Sequence, residues 1–327
     1  MNLLKKSFKS FKTTVLAASL VLSSPFAMAD IHFLVPGGPG GGWDTTARGV
    51  GEGLVKAGIE DNASFQNMSG GGGGRAIAYL IESGTKKGDI LMVNSTPIVL
   101  RALTGKIPYS YRDLTPVASM IADYGAFVVR NDSPFKTWQD VIAAMKEDSG
   151  SVKVAGGSAR GSMDHLVAAQ AVKAAGLDGR RLRYIPYDAG GKAKAGLLSG
   201  EVNLLSTGLS EALEVANGGQ ARILAVTSGE ALPDYPQIPT LKSLGYDMEF
   251  VNWRGFFAAP NLPADKLAEY TEKLRKLQTT PEWEVVRARN GWLNLFQEKD
   301  QFIKSLEQQE AQLKVVMEEL GFIRTSR

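Results

Sequence analysis

Residues 34–46, LVPGGPGGGWDTT, admit few local folds. Residues 31–35 before them are a short β-type apolar run, and after them Thr45, Thr46, Ala47, Val50, Leu54 and Val55 recur at helical spacing. The pattern predicts strand, glycine-rich turn and helix, with Pro36 ending the strand and Asp44 or Thr45 as the helix N-cap. Such a turn aims backbone N–H groups and the positive end of a helix dipole at one spot, where an anion can sit. A tight β–α connection with nothing bound would carry the same local signature, so recurrence decides between the two.

The pattern recurs twice. Residues 63–68 predict a strand followed by Ser69, the run Gly70–Gly74 and a helix over 75–83. Residues 151–155 predict another, followed by GGSARGS (156–162) and a helix from Met163 on which Leu166, Val167, Gln170 and Ala171 share a face. The turns at Gly40-Gly41-Gly42-Trp43-Asp44-Thr45 and at Ser158-Ala159-Arg160-Gly161-Ser162 share one grammar: glycines, small hydroxyl residues, and an aspartate near the helix start. Arg160 adds a cation. Two anion-friendly helix starts in different halves of the chain predict two half-sites facing each other across a cleft.

Between and after these turns, strands alternate with helices, which argues for doubly wound parallel α/β sheets. Ligands of such sheets gather at strand carboxyl ends. That principle nominates Asn94 and Ser95 after the strand 89–93, Tyr187 after 183–185, and Thr207 after 201–205. Asp132-Ser133-Pro134 reads as the cap of a helix that buries Trp138, Val141, Ile142 and Met145. Residues 117–130 read as one long strand kinked at Asp123-Tyr124, and 250–259 as its partner, interrupted by Asn252 and Arg254 and carrying Trp253. These two are the expected interdomain strands, with Trp253 placed near the cleft. Residues 241–244 read as a short helix and 264–320 as helical throughout, with stripes at Leu267, Leu274 and Leu277, at Trp283 and Val286, and at Phe302, Leu306, Leu313 and Val316. The fold predicted is bilobal: residues 30–124 with 249–327 in one domain, 125–248 in the other.

The first segment reads as an export signal. Lys5, Lys6, Lys9 and Lys12 precede the apolar residues 13–22, and Ala27-Met28-Ala29 suits signal peptidase, so residues 1–29 are the expected leader. Removing these four Lys leaves 33 basic against 34 acidic residues, a net charge of −1, which gives nucleic-acid binding no support. The chain has no Cys, hence no disulfide and no lipid-modified cysteine, and a soluble periplasmic protein is expected. His32 and His165 are its two imidazoles, far apart, and His32 beside the first strand reads as structural. Neither G-x-G-x-x-G, a P-loop, G-x-S-x-G nor a zinc motif is completed, so no cofactor, metal or catalytic constellation is expected.

PGGPGGGWDTTAR, NMSGGGGGRAIA, GGSARGSMDHL and VNWRGFFAAP resemble, in order, segments of the extracytoplasmic receptors of tripartite tricarboxylate transporters, the Bug family of periplasmic binding proteins. The resemblance implies two α/β domains joined by crossing strands. It also implies a small organic carboxylate, such as citrate or a related di- or monocarboxylate, fixed by the turns Gly40–Thr45 and Ser158–Ser162 through backbone N–H groups, hydroxyls and waters. Arg160 departs from it, since small residues are common at that place. The expected partners are the solute and the membrane components of the transporter, with the receptor itself a monomer. The alternatives are a sensor subunit and an anion-processing hydrolase using the same cleft.

Overall fold

A computed structural model describes residues 31–87 and 90–324. The expected leader and Asp89, the expected first residue of the third strand, lie outside the described residues.

The first lobe begins with β1 (Ile31–Val35), α1 (Gly42–Lys56), β2 (Ala63–Asn67), α2 (Gly74–Lys87), β3 (Ile90–Ser95) and α3 (Pro97–Leu103). β2, β1 and β3 pair in parallel, as strands joined by crossover helices do. Next comes β4 (Thr115–Arg130), 16 residues long and buried along almost its whole length. The second lobe holds α4 (Trp138–Glu147), β5 (Val154–Gly156), α5 (Met163–Ala174), β6 (Tyr184–Pro186), α6 (Gly190–Leu198), β7 (Leu204–Gly208), α7 (Leu209–Asn217) and β8 (Ala221–Val226). The chain then returns through β9 (Val251–Ala258), α8 (Ala264–Leu277), α9 (Pro281–Arg289), β10 (Leu293–Glu298) and α10 (Lys299–Glu319).

β4 belongs to both sheets. Residues 115–124 pair with β9 and residues 118–122 with β10, whereas residues 125–130 pair with β7 and β8. All four pairings are antiparallel, so each sheet is parallel in its βαβ part and mixed overall. The second crossing comes just before β9. There the Thr227 hydroxyl accepts from the Gly125 N–H (2.8 Å) and donates to the Phe250 carbonyl (2.7 Å), clipping the two crossing segments together. A side chain at Gly125 would press on Val167 and on Thr227 itself, which keeps this crossing narrow.

Several local expectations are corrected. α1 starts at Gly42 and is capped by Gly41 without a side-chain bond, so neither Asp44 nor Thr45 is the N-cap. α4 is capped by Thr137, which forms a capping box with Asp140, not by residues 132–134. β7 runs through Ser206 and Thr207, three residues later than its apolar run suggests. Residues 241–244 form turns rather than a helix, and β10 interrupts the expected all-helical end. On α10 the buried stripe is Phe302, Leu306, Leu313 and Met317, with Val316 half-buried. The helix crosses both lobes: Lys173 on α5 pairs with Glu319 (2.8 Å), and Leu313, Met317 and Leu320 join one apolar core with Leu166 and Val154.

Candidate functional site

The glycine turns after β1, β2 and β5 converge on one cavity of about 390 Å³ between the lobes. Helices start around it. α1 arrives with Gly41 and Gly42, α3 with Pro97, α5 with Ser162 and Asp164, and α6 with Ala189 and Gly190. The first N–H groups of a helix have no intrahelical acceptor, so these starts give the cavity a positive lining without a formal charge. The lobes touch at its mouth, where a side chain on Gly41 would sit 3.3 Å from the Gly190 nitrogen and one on Gly191 2.7 Å from the Pro39 carbonyl.

The run Gly70–Gly73 has positive φ throughout, between 61° and 136°. It wraps the cavity side of Trp43, whose ring would lie 3.5 Å from a side chain at Gly73, and of Arg101, whose Nε would lie 2.9 Å from one at Gly72. Trp43 is held in place because its Nε1 donates to Ser95 Oγ (2.9 Å).

Of the residues expected at the site, Gly41, Gly42, Trp43, Ser95, Ser158, Ser162 and Tyr187 line the cavity, and eight do not. Gly40 and Asp44 serve the turn itself: the Gly40 N–H donates to Asp44 Oδ2 (3.0 Å), and Arg48 and Asn67 donate to the same carboxylate. Burial pulls the Asp44 carboxyl upward, but these three donors outweigh it and hold it below the ordinary carboxylate range. Thr45 turns its hydroxyl back to the Gly41 carbonyl (3.2 Å). Asn94 lies beneath the lining and accepts from the Ser95 N–H (2.9 Å). Arg160 points to solvent. Gly161, at φ +76°, donates its N–H to His165 Nδ1 (3.0 Å). Burial first and Arg160 second push the His165 pKa down to about 4, so its imidazole is neutral and holds the turn as an acceptor. Thr207 is buried beside Glu211. Trp253 packs edge-on against Phe302 and donates to Gln309 Oε1 (2.6 Å), making it a core aromatic.

Six polar lining residues were not expected: Arg101, Asp164, Asp188, Glu211, Asn252 and Arg254. The last two had a signal. Successive strand residues face opposite ways, so β9 turns Asn252 and Arg254 to the cavity and Trp253 away from it. Arg254 is 2% exposed and its Nη2 lies 2.5 Å from Oδ2 of Asp123, which is 0% exposed. Its Nη1 bonds Thr46 Oγ1 (2.8 Å) and the Gly42 carbonyl. Asp123 also accepts from Ser210 on α7 (3.3 Å), so a single guanidinium ties the start of α1 to the second lobe.

The Asp164 N–H donates to the Ser158 hydroxyl (3.0 Å), and the Asp164 carboxylate sits in the second turn beside Gly157 and Ser158. Burial, reinforced by the Glu211 carboxylate, pushes its pKa up to about 7. The folded pKa lies above the ordinary 3.8, so the stability this group contributes is full below that value and is lost as pH rises to about 7. His165 acts oppositely, losing stability as pH falls from 6.5 to about 4. Comparing the parent with Asp164→Asn cancels the His165 contribution. From about pH 5 to pH 8 the parent's unfolding midpoint will fall relative to that of the variant. A constant difference between the two would show that Asp164 titrates as an ordinary carboxyl.

A bilobal α/β molecule with a helix-ringed interlobe cavity defines the periplasmic-binding-protein fold. The family model described as tripartite tricarboxylate transporter family receptor matches residues 47–322, and the chain belongs to that family. Protein BugT of Bordetella pertussis (strain Tohama I) is 30% identical over 245 residues, 74% of this chain and 73% of BugT. The solved structure of the periplasmic binding protein BugD superposes with a TM-score of 0.81 at 20% identity, covering 90% of this chain and 98% of that one. The R. palustris protein Rpa4515, solved with adipate, gives 0.81 at 20% identity, covering 89% and 97%. Among the described residues no helix is long and apolar enough to cross a membrane.

Proposed function

We propose that this chain is a periplasmic receptor, monomeric and without covalent chemistry, that closes on a small organic carboxylate and delivers it to the membrane components of a tripartite tricarboxylate transporter. Its lobes are residues 30–124 with 249–327, and 125–248, closing about the clip at Thr227. The observation that carries this reading is the convergence of the α1, α5 and α6 starts on one cavity at the lobe interface. Adipate in a protein of the same fold supports the solute class. Trp43, Ser95, Ser158, Ser162 and Tyr187 contact the solute, whereas Thr45, Asn94, Thr207 and Trp253 act from behind.

A thermal-shift screen against organic acids tests this. A true ligand at 100 times its dissociation constant adds about 2.7 kcal/mol to stability. Calorimetric titration then separates the turn residues. Ser162 makes no side-chain capping bond, so its hydroxyl is available to the solute, and Ser162→Ala will cost about 0.5–1.5 kcal/mol of binding. Thr45→Ala and Arg160→Ala will leave affinity unchanged, because one side chain is committed to the helix and the other to solvent. Ser158→Asp sets a further carboxylate beside Asp164 and will cost more than any of these. A Ser158→Asp variant that binds like the parent would place the anion elsewhere.

A further inference from the structure

We propose that the C-terminal tip of α10 sets the shape of the second glycine turn from outside the cavity, with Phe322 acting through His165 as a pair of positioning residues. The inference rests on the reading above only in taking that turn as part of the solute site.

The turn is fastened from behind at two points. The Ser162 N–H donates to the Ala159 carbonyl (2.9 Å) and Gly161 stands at φ +76°, the type II arrangement with glycine in third place. Types I and II differ by a rotation of the central peptide, here the one joining Arg160 to Gly161. The Gly161 N–H is committed to His165 Nδ1 (3.0 Å), which holds that peptide in one orientation. At the other end, the Ser158 carbonyl accepts from the Tyr184 hydroxyl (2.7 Å). The two holding rings stack, with centroids 4.4 Å apart and planes at 18°. Ala159 and Ser162 line the cavity and His165 does not, so the fastening lies behind the solute face.

Phe322 backs the imidazole from α10, its ring centroid 4.7 Å away. The helix end fixes it there. Gly321, at φ +70°, donates its N–H to the Glu318 carbonyl (3.0 Å), and Phe322 donates its own to that of Met317 (2.8 Å), the two bonds of a Schellman cap. Upstream, Glu310 roots α10 in the first lobe through the Tyr111 hydroxyl (3.1 Å) and Arg112 (2.7 Å). A helix rooted in one lobe thus backs a solute turn of the other. Uncovering the imidazole would let a proton take Nδ1, the acceptor that Gly161 needs. Few charges bear on this ring. Arg160 faces it from the turn, Tyr184 from β6 is a phenol whose pKa burial raises, and Arg180 beside Gly321 is paired with Asp178. Asp164, next to it on α5, titrates alike with or without Phe322.

The test is NMR of the intact, untagged, solute-free mature protein between about pH 5 and pH 8, the range in which an ordinary imidazole titrates. The chain has two His, so the signals lost in His165→Phe identify the ring. In the parent that ring is expected to stay neutral throughout, its pKa lying at about 4. Burial is the main cause of that depression, so Phe322→Ala is expected to raise the midpoint by at least about one pH unit, and Phe322→Leu, which keeps an apolar cover, by less. The Gly161 amide is expected to exchange about tenfold faster in Phe322→Ala than in the parent, and likewise in His165→Phe, where the acceptor is gone. The double variant is expected to exchange no faster than His165→Phe, because both changes release the same bond. A His165 midpoint unmoved by Phe322→Ala, or exchange effects that multiply in the double variant, would overturn the proposal. No solute enters the measurement, so such a failure is separate from a failure of organic acids to bind.

Discussion

Arg254→Met will destabilise the protein by about 3–5 kcal/mol, the cost of stripping one partner from a buried ion pair. The variant leaves the fully buried Asp123 carboxylate without its cation, and it leaves the Gly42 carbonyl and the Thr46 hydroxyl without the guanidinium that spans them. Burial already raises the Asp123 pKa and Arg254 is the main group opposing it, so the orphaned carboxyl will take up a proton. Adding Asp123→Asn removes the charge yet keeps an oxygen for the Tyr124 N–H, while its amide nitrogen can donate to the Ser210 hydroxyl. The double variant will therefore recover at least half of the lost stability in urea denaturation. Solute affinity will not recover, because Arg254 lines the cavity and positions the start of α1. A single variant costing less than about 1 kcal/mol, the level of an exposed pair, would refute this role for Arg254.

This ion pair also shows what the sequence could and could not reveal. The turns were legible because glycine, proline and small hydroxyl residues act locally, through the φ they permit and the N–H groups they leave exposed. The long β4 and the place of β9 were legible from their long, mostly apolar runs. The partners of the polar residues inside those runs were not, since Asp123 and Arg254 are 131 residues apart and only the fold brings them together. Asn252 and Arg254 read as an interruption when the alternation of strand faces already marked them as one polar side. β10 escaped because its residues are half-buried or exposed and its strand state rests on pairing with β4. β7 was placed three residues early because buried Ser206 and Thr207 look like the end of a strand. Inside the sheet the Ser206 hydroxyl is satisfied by the Asp164 carbonyl at 2.9 Å.

Gly157→Ala will cost about 1–3 kcal/mol of stability and weaken binding by about ten- to hundredfold. A side chain on Gly157 would lie 2.5 Å from the Gly190 Cα and 2.6 Å from the Ala189 carbonyl carbon, closer than real contacts come. Those atoms are backbone and cannot turn aside as a side chain would. They are also held in place: the Ala189 N–H donates to the Gly157 carbonyl (3.2 Å), the Tyr187 N–H to that of Gly156 (2.8 Å), and Ala189 already carries φ +75° as the cap of α6. Relieving the overlap must move the α6 start away from the second turn, and with it one of the three helix starts proposed to hold the carboxylate. Gly38→Ala is the control. It makes the same chemical change in the same cavity, but its new methyl would meet Ala189 Cβ at 3.5 Å and Ser69 Oγ at 3.6 Å, ordinary contacts, so affinity and unfolding midpoint will stay near the parent's. If both variants bind alike, the spacing of the second turn and α6 does not set affinity, and the carboxylate must be held by α1 and α5 alone.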